Sequence, residues 1–197
     1  MALAPAYASH RLSTAGAHTL EVFLDYACPF SARLWRTLYT QVLPQFPRVS
    51  VVFRHQIQPW HPSSLLMHEA SLAVSRLAPS NFAMFSDALF EHQREFFDEA
   101  VVDLTRSDIY ARLADIALSI NAVDDRRALL QLLDVQASDE PKNAGNAVTV
   151  DVKYHVRVAR AQGIHVSPTV VLDGVRDDSV SSSWTLEQWS TWLEPKL

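Results

Sequence analysis

The sequence is short of cysteine, glycine and positive charge, and each shortage excludes a class of protein. Cys28 is the only cysteine in 197 residues, which excludes an intramolecular disulfide framework and a cysteine-rich zinc site. The four glycines form no phosphate-binding loop. The net charge is −5 and no basic cluster is present, so we expect no nucleic-acid partner. No apolar run approaches the ~20 residues that span a bilayer, so we expect no membrane segment.

The composition is otherwise that of a globular protein. Hydrophobic residues make up 48% of the chain and charged residues 20%, and this length is enough to bury a good core. The stretch from Met1 to His10 lacks the basic and apolar regions of a secretory signal. We therefore expect a cytoplasmic location if Met1 is the native start, and a secreted or periplasmic one if a signal peptide was removed.

The single cysteine follows a predicted strand and opens a predicted helix. Thr19 to Asp25 is apolar on both faces, as in a central strand, and Pro29 suits a first helical position. A thiol at a helix N-terminus faces unpaired N–H groups, and these favour the nucleophilic thiolate. We expect Cys28 to accept N–H bonds from Phe30 or Ser31, with a further bond from the Ser31 hydroxyl. The alternative interpretation is a small buried apolar residue.

The rest of the chain predicts a second strand, a series of helices and a return to the sheet. Arg48 to His55 can pair in parallel with the first strand, because a helix that Pro44 and Pro47 end connects them. Helical periodicity then continues to about residue 140, with no credible strand. Smaller features complete the prediction: an edge strand near His10 to Thr14, helix caps at Ser107 and Asp124, a return loop at Ser138 to Gly145, a helix from Asn146 to Gln162 that Gly163 ends, a strand from Thr169 to Leu172, a turn at Asp173-Gly174, and a last helix capped by Thr185 with Gln188.

Two segments resemble the thioredoxin fold. Cys28-Pro29-Phe30-Ser31 is similar to the Cys-X-X-Cys motif, with serine in place of the second cysteine. The segment from Gly163 to Gly174, which contains Ser167-Pro168, is similar to the cis-proline loop and the strand that follows it. The long helical stretch between them resembles the DsbA-like family, in which helices are inserted into that fold. The resemblance implies an α/β protein with an inserted all-helical domain. Its expected parts are a tail or edge strand at 1–17, a thioredoxin-like domain at 18–62 and 141–197, and a helical insertion at 63–140.

The resemblance also implies a site. Cys28 and Ser31 are the expected catalytic residues, and Pro168 is expected to be cis and to lie against Cys28. The remaining candidates for substrate binding are Pro29, Phe30, Ser167, Trp60 and His61. Trp60 and His61 follow the second strand at the ligand-binding edge of the sheet, although Trp60 could instead pack under the helices.

The eight histidines predict no metal site, because no pair has the spacing of a metal-binding motif. His61 or His165, if protonated near Cys28, would favour its thiolate. We expect no bound cofactor, with glutathione as a possible co-substrate.

Three functions remain open. A dithiol cycle within one chain is excluded, because Ser31 cannot form a disulfide with Cys28. The leading hypothesis is a thiol–disulfide oxidoreductase that forms mixed disulfides with protein or glutathione through Cys28. The alternatives are a glutathione-dependent transferase or isomerase that uses Ser31, and a redox-inactive module that binds peptides.

Overall fold

The sheet places the ends of two parallel strands beside each other. The computed structural model describes residues 3–13, 16–135 and 142–197. Its sheet contains β1 (His18–Leu24), β2 (Val49–His55), β3 (Thr169–Leu172) and β4 (Val175–Arg176) in the order β2-β1-β3-β4. β2 runs parallel to β1, whereas β3 is antiparallel to both β1 and β4. Since β1 and β2 are parallel, the segments that leave their carboxyl ends start at one edge of the sheet.

Helices cover the sheet and fill the interval between β2 and β3. The described residues between 63 and 135 contain no strand, as the helical periodicity predicts. The helices are α1 (Pro29–Thr37), α2 (Leu43–Gln45), α3 (Ser64–Leu77), α4 (Phe82–Glu91), α5 (Asp98–Val101), α6 (Arg106–Ser119), α7 (Arg126–Leu133), α8 (Thr149–Ala161) and α9 (Leu186–Leu193). None of the helices in the described ranges is both long and apolar enough to cross a bilayer.

The alternation of side chains along β1 produces a core on each face of the sheet. Leu20, Val22 and Leu24 pack into the larger core with the helices between β2 and β3 and with α9. Phe23 points to the other face, where it meets Val171 and the end of α8. This two-sided burial explains why Phe23 is apolar, although it shares its face of β1 with Glu21, which pairs with Arg54.

The helical path that starts with α1 ends between Pro44 and Pro47, the two prolines predicted to end it. A π-helical segment, Leu38–Val42, follows α1 and leads directly into α2, which contains Pro44. Proline cannot donate the usual bond to the carbonyl of the fourth residue before it, and a wider turn before it relieves that constraint. The helical path therefore continues past Pro44 and ends at Gln45.

Two predicted caps are wrong, each by one or two residues. Thr105, rather than Ser107, caps α6, and its hydroxyl accepts from the Asp108 N–H at 3.2 Å while Asp108 accepts from the Thr105 N–H at 2.9 Å. Asp125, rather than Asp124, caps α7 by accepting from the Arg127 N–H at 2.8 Å. In both cases the capping residue is the one with extended backbone, which sequence spacing alone does not reveal.

The N-terminal segment is not the predicted edge strand. A 3₁₀ helix, Pro5–His10, is followed by a single antiparallel bridge between Arg11 and Val52. The Leu12 N–H donates to the Val51 carbonyl at 2.8 Å, so the segment lies along the outer edge of β2. Thr14 and most of the predicted return loop, 136–141, lie outside the described residues.

The end of α8 directs the chain into the proline loop. Gly163 has a φ of +65°, and the Ile164 N–H donates to the Ala159 carbonyl at 2.9 Å. The Gly163 N–H donates to the Arg160 carbonyl at 3.1 Å, which completes a Schellman motif. A left-handed backbone of this kind favours glycine, as the sequence predicts.

Candidate functional site

Cys28 is the N-cap of α1, at the carboxyl end of β1. Its backbone is extended, with φ −84° and ψ 120°, and its carbonyl accepts the Ala32 N–H at 3.1 Å. The Cys28 N–H donates to the Asp25 carbonyl at 3.1 Å, which closes the turn between strand and helix. The residue is only 5% exposed. A substrate must therefore reach the sulfur through a narrow opening.

The Cys28 sulfur contacts the proline loop rather than the helix backbone. Sγ lies 3.5 Å from the Ser167 carbonyl oxygen, as a thiol donating to it, and the Ser167–Pro168 peptide bond is cis. These groups are 139 residues apart in sequence. The predicted bonds from Phe30 or Ser31 N–H to the sulfur are absent from the described contacts. The N–H groups at the start of α1 therefore do not bond the neutral thiol. They can still favour a negative charge on the sulfur.

Ser31 lies buried at the cysteine turn and does not form the hydrogen bond to Cys28 that the sequence predicts. The side chain is fully buried, and its hydroxyl oxygen accepts the Asp25 N–H at 3.2 Å. No hydrogen bond joins Ser31 to Cys28 within the described ranges. Ser31 therefore holds the strand-to-helix turn in place, and it cannot reach a ligand at the surface without a rearrangement.

The buried side chain of Asp25 accepts hydrogen bonds that hold the cysteine turn in place. This role was not predicted from the sequence. Its Oδ1 accepts the Ala27 N–H at 3.0 Å and the Ser64 hydroxyl at 2.8 Å, while Oδ2 accepts the Gln58 N–H at 3.0 Å. The side chain is fully buried. It therefore joins the cysteine turn, the loop after β2 and the start of α3. The only sequence signal was the position of Asp25 directly after a buried strand.

Gln93 is a second residue that the sequence did not identify. Its side-chain amide donates to the Tyr26 carbonyl at 2.9 Å and to the Cys28 carbonyl at 3.4 Å. The Tyr26 hydroxyl bonds to Ser71 and Ser86, each at 2.7 Å. Burial raises the pKa of Tyr26, so the phenol stays neutral at physiological pH. Gln93 and Tyr26 thus add uncharged hydrogen bonds between the cysteine turn and the inserted helices.

Three segments carry exposed apolar side chains: the start of α1, the loop after β2 and the proline loop. Phe30 is 55% exposed, Trp60 is 57% exposed, and Val166 is 48% exposed. The exposure of Trp60 excludes the alternative that it packs under the helices. Arg33 lies over the Phe30 ring, 5.7 Å from its centroid. Large exposed apolar groups on neighbouring segments are typical of a binding surface.

His61 lies beside the motif, whereas His165 does not contact it. His61 is half-buried, and its ring centroid is 6.2 Å from that of Trp60. His165 is exposed, and neither histidine forms a hydrogen bond with Cys28 in the described ranges. A cavity of about 150 Å³ lies next to the motif, lined by Ala27, Pro29, His61, Phe97, Asp98 and Glu99. The structure thus places Pro29 and His61 on the lining of one cavity.

Solved structures of thiol–disulfide exchange proteins are similar to this chain. A Pseudomonas syringae protein provisionally assigned as a protein-disulfide isomerase is 27% identical, and the alignment covers 95% of this chain and 99% of that one, with a TM-score of 0.76. The chain has a thioredoxin-like fold. BdbD from Bacillus subtilis matches at 18% identity over 92% of this chain and 90% of its own, with a TM-score of 0.65. The thiol-disulfide exchange protein α-DsbA2 from Wolbachia pipientis matches at 15% identity over 94% and 84%, with a TM-score of 0.64.

Other comparisons add no further relative. No protein-family profile and no curated protein matches the chain. The DsbA-like resemblance in the sequence therefore agrees with its structural neighbours at the level of fold.

Proposed function

We propose that this protein is a thiol–disulfide oxidoreductase that works through Cys28 alone, forming mixed disulfides with a protein or with glutathione. The observation that carries the proposal is the 3.5 Å contact between Cys28 Sγ and the carbonyl of Ser167. This contact joins a thiol at the N-terminus of a helix to a backbone segment that can pair with an extended peptide. The thiol-exchange assignments of the structural neighbours support the same chemistry.

The proposed reaction is a series of thiol–disulfide exchanges. The Cys28 thiolate attacks one sulfur of a substrate disulfide, so that a Cys28–substrate bond forms while the substrate S–S bond breaks and its second sulfur leaves as a thiolate. If that second sulfur attacks another disulfide of the substrate, the thiolate released there can attack the substrate sulfur bonded to Cys28, which frees the Cys28 thiolate and rearranges the substrate without net electron transfer. If glutathione resolves the intermediate, two glutathione thiols supply two electrons and leave as glutathione disulfide.

Each predicted residue has a separate role in the proposed reaction. Cys28 is the nucleophile, and the exposed faces of Phe30 and Trp60 contact the apolar side chains of a substrate. Ser167 and Pro168 supply the backbone edge along which the substrate strand lies. Pro29 and His61 form the rim of the opening. Ser31 is a positioning residue, because its hydroxyl bonds only the turn.

The two alternatives differ in how well the geometry supports them. The buried hydroxyl of Ser31 disfavours a transferase in which that serine positions the sulfur of glutathione. The low exposure of Cys28 favours a module that binds peptides without covalent chemistry. Removal of the thiol distinguishes the proposed enzyme from both alternatives, because only the proposed enzyme needs it.

The experiment compares wild type, Cys28→Ser and Ser31→Ala in the recovery of activity by scrambled ribonuclease in a glutathione buffer. We expect acceleration by wild type and by Ser31→Ala, and no acceleration above buffer by Cys28→Ser. Acceleration by Cys28→Ser equal to that of wild type would contradict the thiol mechanism. Loss of activity in folded Ser31→Ala with retention in Cys28→Ser would support the serine-centred alternative instead.

A further inference from the structure

Three histidines from distant parts of the chain meet in the interior, away from the cysteine. His10 ends the N-terminal 3₁₀ helix, His55 is the last residue of β2, and His155 lies in α8. They are 0%, 1% and 1% exposed, and each offers a ring nitrogen within 4.8 Å of the other two. The Nε2 atoms of His10 and His55 are 2.9 Å apart. Neutral imidazole nitrogens gathered in this way are the usual donors for a transition metal.

Hydrogen bonding inside the cluster leaves one imidazole unsatisfied. His55 uses Nε2 toward His10 and Nδ1 toward the Nδ1 of His68, at 2.6 Å. Neither ring nitrogen of His155 has a hydrogen-bond partner among the described residues. A buried polar atom without a partner costs free energy and calls for an explanation. A bound ion would supply a partner for one of these two nitrogens, since it accepts that nitrogen's lone pair.

The surroundings keep the imidazoles in the form that binds a metal. Burial, followed by the nearby Arg54 guanidinium, lowers the pKa of His10 to about 3. Burial first, and then the neighbouring histidines, hold the pKa of His55 well below its ordinary value, and burial does the same for His155. Neutral rings present lone pairs, which metal coordination requires.

We propose that His10, His55 and His155 form a buried binding site for one divalent transition-metal ion, with Zn²⁺ as the matching probe. Imidazole suits zinc, with Zn–N distances of about 2.0–2.1 Å, so three donors on one ion lie about 3.3 Å apart. The separations in the cluster, from 2.9 Å up to the 4.8 Å limit, need only small side-chain movements to reach that value. The proposal does not depend on the thiol mechanism.

A second layer of side chains suits the same role. The His55 ring bonds through Nδ1 to His68, and His68 Nε2 lies 3.5 Å from the Asp25 carboxylate. Partners of this kind orient the ligating ring and fix its tautomer. The rings of Phe82 and Tyr7 pack against His10 and His155 and separate the cluster from solvent. An enclosed ion would join the N-terminal segment to β2 and α8, so we assign it a stabilising role.

The test uses the full chain, stripped with a chelator and then dialysed against zinc. We expect one zinc per chain by elemental analysis. We also expect a melting temperature about 8–16 °C higher when free zinc exceeds its Kd about 1,000-fold. His155→Phe should lose both effects. It should still fold, because phenylalanine fills similar space and no hydrogen bond of His155 is lost.

Two matched variants exclude other zinc sites. His92→Ala removes an exposed histidine paired with Glu95, and Cys28→Ser removes the only thiol; both should keep one zinc and the full stabilisation. Co²⁺ added to wild type should give the visible bands of a nitrogen-ligated ion without a thiolate charge-transfer band. This test does not depend on the folding of His155→Phe. Wild type without stoichiometric zinc and without a thermal shift would overturn the proposal. Zinc retained by folded His155→Phe, or a thiolate band with cobalt, would overturn it equally.

Discussion

Replacing Asp25 with asparagine should destabilise the protein strongly, although the two side chains have almost the same shape. Both carboxylate oxygens accept hydrogen bonds, Oδ1 from Ala27 and Ser64 and Oδ2 from Gln58. An amide keeps only one acceptor oxygen, so at least one of these donors must face an NH₂ group. Because the site is fully buried, water cannot replace the lost acceptor.

The size of the effect follows from the number of donors left without an acceptor. If asparagine places its oxygen at the Oδ1 position, only the Gln58 N–H loses its partner, which is the least costly arrangement. One lost bond of this kind, with a buried donor left unsatisfied, costs about 3 kcal/mol. For a chain of this size that corresponds to a melting temperature about 6–12 °C lower. The opposite orientation of the amide leaves the Ala27 N–H without an acceptor and forces the Ser64 hydroxyl to turn and accept from the NH₂ group, so it is no less costly.

The assay is urea denaturation followed by circular dichroism, with Asp103→Asn as the control because Asp103 is exposed. We expect a lower midpoint for Asp25→Asn with an unchanged m-value, and a midpoint within error of wild type for Asp103→Asn. A loss of less than about 0.5 kcal/mol for Asp25→Asn, the size of an ordinary surface substitution, would refute the role of Asp25 as the centre of the turn.

Three further predictions follow from the site and the caps. Ser31→Cys places a second thiol one helical turn from Cys28, so oxidation should reduce the free-thiol count from two to zero; two thiols that stay reactive toward Ellman's reagent would contradict the geometry. Thr185→Ala removes the capping box of α9 and should cost about 1 kcal/mol in urea, whereas an unchanged midpoint would mean that the cap is dispensable. Trp60→Ala should weaken the binding of an apolar cysteine-containing peptide in calorimetry without lowering the melting temperature, because the ring is 57% exposed; equal weakening by Val175→Ala, on the exposed hairpin, would count against a specific surface.

Local sequence patterns predicted the elements, because periodicity and capping residues act over short distances. The alternation in β1 and β2, the cap at Thr185 and the turn at Asp173-Gly174 are all observed. The patterns failed where a choice between neighbours depends on backbone angles, as at Thr105. They also did not predict the π-helical segment before Pro44.

The parts of the site that the sequence missed depend on contacts between distant residues. Asp25 bonds to Ser64 across 39 positions, and His10 lies beside His55 across 45. Motif spacing identifies ligands on one helix or loop, so it could not detect a cluster assembled from three elements. The meeting of Cys28 with Ser167 was predicted because the order of two motifs resembles that of a known fold.

The most direct test of the proposed mechanism is mass spectrometry of the intact protein after incubation with oxidised glutathione. The mechanism predicts one glutathione adduct per chain, mapped to Cys28 by proteolysis and removed by a thiol reductant. The Cys28→Ser variant should remain unmodified under the same conditions. A wild-type chain that stays folded and unmodified would contradict the claim that Cys28 is a nucleophile that forms mixed disulfides.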